Sequence, residues 1–164
     1  MTSYHAQPIE PQALKELRET DDAGRPCGPV VNTESREPLR CCLRRSEPGE
    51  RMALVSYAPL RRWAAETGAR PGAYEEQGPV FIHTEECPGP DLAGYPFARP
   101  GALRTIRSYS ADGHILGGRF LEIPESADEA LDAAFAEAFA DSEVALVHVR
   151  AVEYGCFLYE VRRP

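Results

Sequence analysis

Residues 103–140 read LRTIRSYSADGHILGGRFLEIPESADEALDAAFAEAFA, and this stretch decides the fold class. In Leu103–Ser110 side chains alternate across an extended chain, with Leu103, Thr105, Arg107 and Tyr109 on one face and Arg104, Ile106 and Ser108 on the other. Ala111-Asp112-Gly113-His114 then carries an Asp-Gly turn signal, because glycine accepts the positive φ that tight hairpin turns need. The turn joins the first run to Ile115–Ile123, which predicts a β-hairpin. Gly117-Gly118 within the second run reads as a bulge rather than a phosphate cradle. From Ser126 the period changes. Leu131, Ala134, Phe135, Ala138 and Phe139 recur at the spacing of one helical stripe. Ser126 and Glu129 have capping-box spacing, and the acids of the first turn suit the helix dipole.

Working outward, Val144–Val149 and Cys156–Val161 read as two further strands, and 52–57 and 78–84 as two earlier ones. Pro59–Ala65 has room for one or two helical turns, closed by Gly68, and a short N-terminal helix starts at Pro11. One long helix cannot supply the crossovers that six parallel strands would need. The expectation is an α+β fold: a mainly antiparallel sheet of about six strands, one long amphipathic helix (126–140) and a short N-terminal helix. Residues 1–50 read as that N-terminal helix followed by an irregular arm packed on the domain. Residues 51–164 read as the α+β core, the whole forming a single domain.

The composition agrees with one domain. The chain has 164 residues, 43% of them hydrophobic, enough to build a core. A formal net charge of −8 argues against nucleic acid or an anionic membrane surface as partner, since both select a cationic face. No apolar run approaches a membrane span, and the first residues show neither the basic nor the apolar region of a secretory signal. Five cysteines (Cys27, Cys41, Cys42, Cys87 and Cys156) are an odd number without a CxxC, which fits reduced thiols and a cytoplasmic location rather than a disulfide framework.

The densest chemistry lies in residues 73–87, where acids, a tyrosine, a histidine and a thiol surround one apolar strand. His83 stands at the end of that strand and is the candidate proton-transfer residue, with Glu75 or Glu76 to orient it and Tyr74 as hydrogen-bond donor. The plain alternative leaves the acids as solvated loop charges and His83 as a half-buried histidine. Cations are almost all arginine, the side chain suited to bidentate clamping of carboxylate or phosphate. Arg104, Arg107 and Arg150 fall on predicted strands and, with Tyr109, are candidate binders of an anionic substrate; the alternative is pairing with the surplus of acids. Arginines flanking Cys41-Cys42 favour a thiolate, so Cys42 is a candidate reactive thiol. Cys87 is a second one, unless it serves as a small core residue like Cys156. A metal site built from His83, Cys87, His148 and Cys156 has no recognised ligand spacing, and no metal or organic cofactor is expected.

These residues carry a resemblance. Arg40-Cys41-Cys42-Leu43-Arg44 followed by Glu47-Pro48-Gly49-Glu50-Arg51 resembles the opening of the bacterial domain-of-unknown-function family 1203. Gly78–His83 with Cys87, Tyr109–Gly113, and Val147–Arg150 with Gly155–Tyr159 resemble its later segments, from about residue 38 to the end. Leu39 falls where the family has its first cysteine, which argues against a two-thiol function at that spot. The resemblance implies a compact bacterial domain and draws attention to Cys42, His83, Cys87, His148, Arg150 and Cys156, without implying an activity. The residues themselves lead to two expectations. One is a cofactor-independent acid–base enzyme acting on a small polar or anionic metabolite. The other is a non-catalytic binding or interaction module, with a homodimer as one assembly it allows.

Overall fold

The computed structural model describes residues 2–32 and 34–164. Met1 and Thr33, both part of the predicted arm, lie outside the described residues. The elements in chain order are α1 (Pro11–Leu17), β1 (Pro29–Val31), β2 (Arg51–Tyr57), α2 (Pro59–Thr67), a 3-10 turn at Gly72–Tyr74, β3 (Gly78–His83), β4 (Leu103–Ser110), β5 (Ile115–Glu122), α3 (Ala127–Ala140), β6 (Val144–Ala151) and β7 (Phe157–Arg162). The α+β class holds, but the strands divide between two antiparallel sheets rather than one. The smaller has the order β1-β2-β3 and the larger β5-β4-β6-β7. Seven strands replace the expected six because Pro29–Val31, inside the supposed irregular arm, pairs with Arg51–Ala53. Three exposed residues carry too little alternation to announce a strand, and only the partner defines it.

The predicted hairpin is β4–β5. Gly113 sits at φ +85°, and the turn is closed by its N–H bonding to the Ser110 carbonyl at 2.8 Å. A Cβ there would lie 3.2 Å from Pro71 Cβ, so turn chemistry and packing select glycine together.

Helix α3 buries Leu131, Ala134, Phe135 and Phe139 against the larger sheet, as the stripe predicts. Two details differ. Its outward side includes Ala133, Ala136 and Ala140, so the helix is less amphipathic than expected. The Ser126 side chain makes no capping hydrogen bond. Two acids of its first turns, Asp128 and Asp132, bind neighbouring segments. Asp128 accepts the Tyr95 N–H at 2.9 Å, and Asp132 accepts the Tyr95 hydroxyl at 2.5 Å and the Ser3 N–H at 2.9 Å.

A second core lies on the smaller sheet. Ile9, Leu14 and Leu17 from the N-terminal segment join Leu39, Met52, Val55, Val80 and Ile82, with Phe157 of β7 reaching in from the larger sheet. Tyr4 stacks on Phe139 of α3 with ring centroids 5.5 Å apart. The first fifty residues thus supply core to both sheets. Helix α2 is longer than the one or two turns expected. It starts at Pro59, ends on Gly68 in the left-handed conformation, and buries Leu60 beside Tyr109 and Leu146. Among the described residues no helix is long and apolar enough to cross a membrane.

Candidate metal centre

Two segments build the site. The first is a tight turn between Pro38 and Arg45. The Leu39 N–H bonds to the Arg44 carbonyl and the Leu43 N–H to the Leu39 carbonyl, both at 2.9 Å, with Leu43 at a left-handed φ of 56°. The Arg40 N–H donates to the Phe81 carbonyl at 2.9 Å, which seats the turn on β3. This places the buried thiols of Cys41 and Cys42 over the end of that strand. The second segment is that strand end itself, where His83 is the last residue of β3 and Cys87 follows in the loop. Arg18 Nε bonds the His83 carbonyl at 3.1 Å and ties α1 to the same point.

The Sγ atoms of Cys41, Cys42 and Cys87 and a ring nitrogen of His83 all lie within 4.8 Å of one another. The measured pairs are Cys41 Sγ to Cys42 Sγ at 3.9 Å, Cys41 Sγ to His83 Nδ1 at 3.3 Å and Cys42 Sγ to Nδ1 at 3.9 Å. Tetrahedral zinc with bonds of about 2.3 Å to sulfur and about 2.05 Å to nitrogen sets neighbouring ligands roughly 3.6–3.8 Å apart. The side chains therefore stand close to the separations such an ion requires.

The other face of the imidazole is held by an acid. His83 Nε2 lies 2.5 Å from Glu50 Oε2, and Arg44 clamps the Glu50 carboxylate through both oxygens at 2.8 and 2.7 Å. The Glu47 N–H adds a further bond to Glu50 Oε1 at 2.6 Å. Arg44 first, and then His83 and the Glu47 N–H, hold the Glu50 carboxyl far below the usual carboxylate range. An ionised Glu50 takes the Nε2 proton as its hydrogen bond and leaves Nδ1 as the free donor facing the thiols. The thiols are unequal. The hydrogen bond from Cys41 lowers Cys42 to about 6, helped by the Arg44 N–H and the nearby His83 and Arg44 side chains. Its bond to Cys42, together with burial, pushes Cys41 up. Of the two, Cys42 is thus the thiol that gives up its proton more readily.

The residues expected from the sequence separate into three places. His83, Cys42 and Cys87 meet in this cluster. Tyr74, Glu76, Tyr109 and Arg150 meet elsewhere, lining a cavity of about 140 Å³ beside His148. There Glu76 pairs with Arg107 at 2.7 Å and approaches Arg150 at 3.9 Å, so it does not orient His83. Glu75 pairs with Arg61 at 2.6 Å, and Tyr74 packs on His114 with ring centroids 5.2 Å apart. Arg104 lies in a third place, paired with Glu153 at 3.0 Å. The histidine of the 140 Å³ cavity is His148, buried between Tyr109 and Phe157 and 3.0 Å from Glu160. Burial raises the Glu160 carboxyl, but its bonds to His148 and Arg162 outweigh that and hold it below its ordinary value.

The set His83, Cys87, His148 and Cys156 is consequently divided between two sites. Sequence reasoning missed Cys41, Glu50 and Arg44 as members of the cluster. Leu39, at the position where the resemblance has a cysteine, is fully buried in the core, and the second thiol comes from Cys41 two residues on. The signal for Glu50 was its place just before β2, whose antiparallel register sets Met52 opposite His83.

Fold and site together define a two-sheet α+β protein with a thiol–imidazole cluster at the edge of its smaller sheet. Residues 36–163 match the sequence profile described as "Protein of unknown function (DUF1203)", and the chain belongs to that family, as the resemblance implied. No curated protein and no solved structure matches the chain.

Proposed function

We propose that the protein is a zinc-dependent binding module, with Cys41, Cys42, Cys87 and His83 Nδ1 as the four ligands. The observation that carries this reading is the convergence of four ligand atoms within 4.8 Å, backed by the Arg44–Glu50–His83 chain on the far side of the imidazole. Three sulfurs and one nitrogen as donors suit zinc over harder cations. Four protein ligands close the coordination sphere, which suits an ion that organises structure rather than one that holds a reacting water. The ion would fasten the 38–45 turn to β3, so that its binding energy becomes folding energy for that segment.

The test is the metal content of the full chain, purified under reducing conditions with zinc supplied. One zinc per chain is expected, lost in Cys42→Ser and Cys87→Ser. Cobalt should bind with thiolate charge-transfer absorption. A wild-type chain that retains no zinc and gives no such band would overturn the reading.

A second reading rests on one specific observation, the ordered row Cys41 Sγ, His83 and Glu50 at 3.3 and 2.5 Å. It keeps the acid–base enzyme, with a thiol of the cluster as nucleophile and His83 as its base. Rapid alkylation of one thiol in zinc-supplied protein, abolished by His83→Ala, would favour it over the metal.

A further inference from the structure

An apolar-walled space lined by residues of both sheets is separate from the metal cluster. It has a volume of about 450 Å³ and is walled by Leu54, Phe81, Leu158 and Tyr154 among others. Its charges are four arginines (Arg40, Arg45, Arg99 and Arg104) against two acids, Glu37 and Glu153. The lining is therefore positive by two charges in a chain of net charge −8.

Arg40 carries the argument. It is 2% exposed, yet among the described residues no carboxylate lies within ion-pair distance of its guanidinium. Its Nε donates to the Phe157 carbonyl at 2.8 Å and its Nη1 to the Pro38 carbonyl at 2.5 Å, while Nη2 makes no hydrogen bond among the described residues. Two neutral carbonyls do not compensate a buried cation, and leaving such a charge unpaired is costly. At the rim, Arg45 stacks on the Phe97 ring and bonds the Arg36 carbonyl. Neither Arg45 nor Arg99 has an acidic partner among the described residues. Only Arg104 is paired, to Glu153.

We propose that this cavity binds a small organic anion: an oxyanion head on Arg40, drawn in by Arg45 and Arg99, with an apolar body against Phe81, Leu54 and Leu158. The chemistry of recognition is a planar cation over an oxyanion in an apolar wall, which does not depend on the metal. The site is also distinct from the sheet face on which Arg107 and Arg150 bind Glu76.

The experiment is calorimetric titration of the full chain, with and without added zinc. The probes are 4-phenylbutyrate, phenyl phosphate and the uncharged 4-phenylbutyramide. At least one acid should bind at one site with a Kd of about 1 mM or tighter, and the amide about tenfold weaker or worse. Preference between the two acids distinguishes a carboxylate from a phosphate head. The double variant Arg45→Gln/Arg99→Gln should weaken the acid about tenfold without changing zinc content. Arg40→Lys keeps the charge but loses the fork, and should weaken the acid about tenfold. No binding of either acid, equal binding of acid and amide, or an unchanged Kd in the double variant would each overturn the proposal. Zinc content is read separately, so this proposal and the metal reading fail independently.

Discussion

Glu50→Gln is the sharpest probe of the metal centre, because it alters the partner of a proposed ligand while leaving all four ligands in place. In the wild type, Glu50 Oε2 meets His83 Nε2 and Arg44 Nη2, and Oε1 meets Arg44 Nη1 and the Glu47 N–H. Both oxygens thus face donors. A glutamine has one acceptor oxygen and one donor NH2, so in either orientation the amide points N–H at N–H. If the oxygen stays with His83, Arg44 Nη1 and the Glu47 N–H lose their acceptor; if it turns away, His83 loses the partner that fixes its tautomer. The negative charge beside Nε2 is lost in both cases. Changes of this kind behind a metal-bound histidine weaken metal affinity by roughly 10–100-fold. That corresponds to about 1.4–2.8 kcal/mol. The assay is competition for zinc against a chromophoric chelator at neutral pH, with circular dichroism to show that the variant is folded. Glu75→Gln and Glu76→Gln should leave zinc affinity unchanged, since those carboxylates bind Arg61 and Arg107. A folded Glu50→Gln variant with wild-type zinc affinity would refute the reasoning, and so would an equal loss in Glu75→Gln.

Two further predictions concern stability. Phe135 is fully buried and packs edge-on to Tyr4 and Tyr95 at centroid distances of 5.7 and 5.2 Å, so Phe135→Ala should cost about 3–5 kcal/mol in denaturant unfolding. A loss below about 1 kcal/mol would mean that α3 does not seat as described. Asp21 is a pH-dependent strut. Burial raises its carboxyl, but backbone N–H bonds from Ser56, Arg25 and Ala23 outweigh this and leave the pKa below the ordinary value. A depressed folded value stabilises the chain above the unfolded pKa of about 3.9, and that stability is lost as pH falls through the lower folded value. Asp21→Asn should therefore be less stable than wild type at neutral pH, by about 1 kcal/mol, with the gap closing below about pH 4. A gap that stays constant from pH 7 to pH 2 would contradict this assignment.

The elements were legible wherever neighbours in sequence share one periodicity. Leu103–Ser110 alternates, Asp112-Gly113 turns, and Leu131 to Phe139 form a helical stripe, so β4, β5 and α3 appear where local chemistry puts them. The partition of strands into two sheets was not legible, because pairing between β1 and β2 joins residues twenty or more positions apart and leaves no mark on either segment alone. The site followed the same division. His83, Cys42 and Cys87 stood out as residue types, whereas Glu75 and Glu76 drew attention by proximity in sequence and belong to other pairs in space.

What the sequence alone determined, then, is the α+β class, the hairpin, the long helix, the family and the suspicion attached to His83. Each depends on interactions within a few turns or pleats, or on a motif pattern that is linear by nature. Only the tertiary structure decided which thiols face His83, that Glu50 and not a neighbour orients it, and that Arg40 is buried without an acid. Antiparallel register set Met52 against His83, and the 38–45 turn docked on Phe81 carried Cys41 and Cys42 to one side and Arg40 to the other. Such contacts depend on the relative placement of whole elements, which is fixed by the burial of two cores rather than by any single stretch of chain.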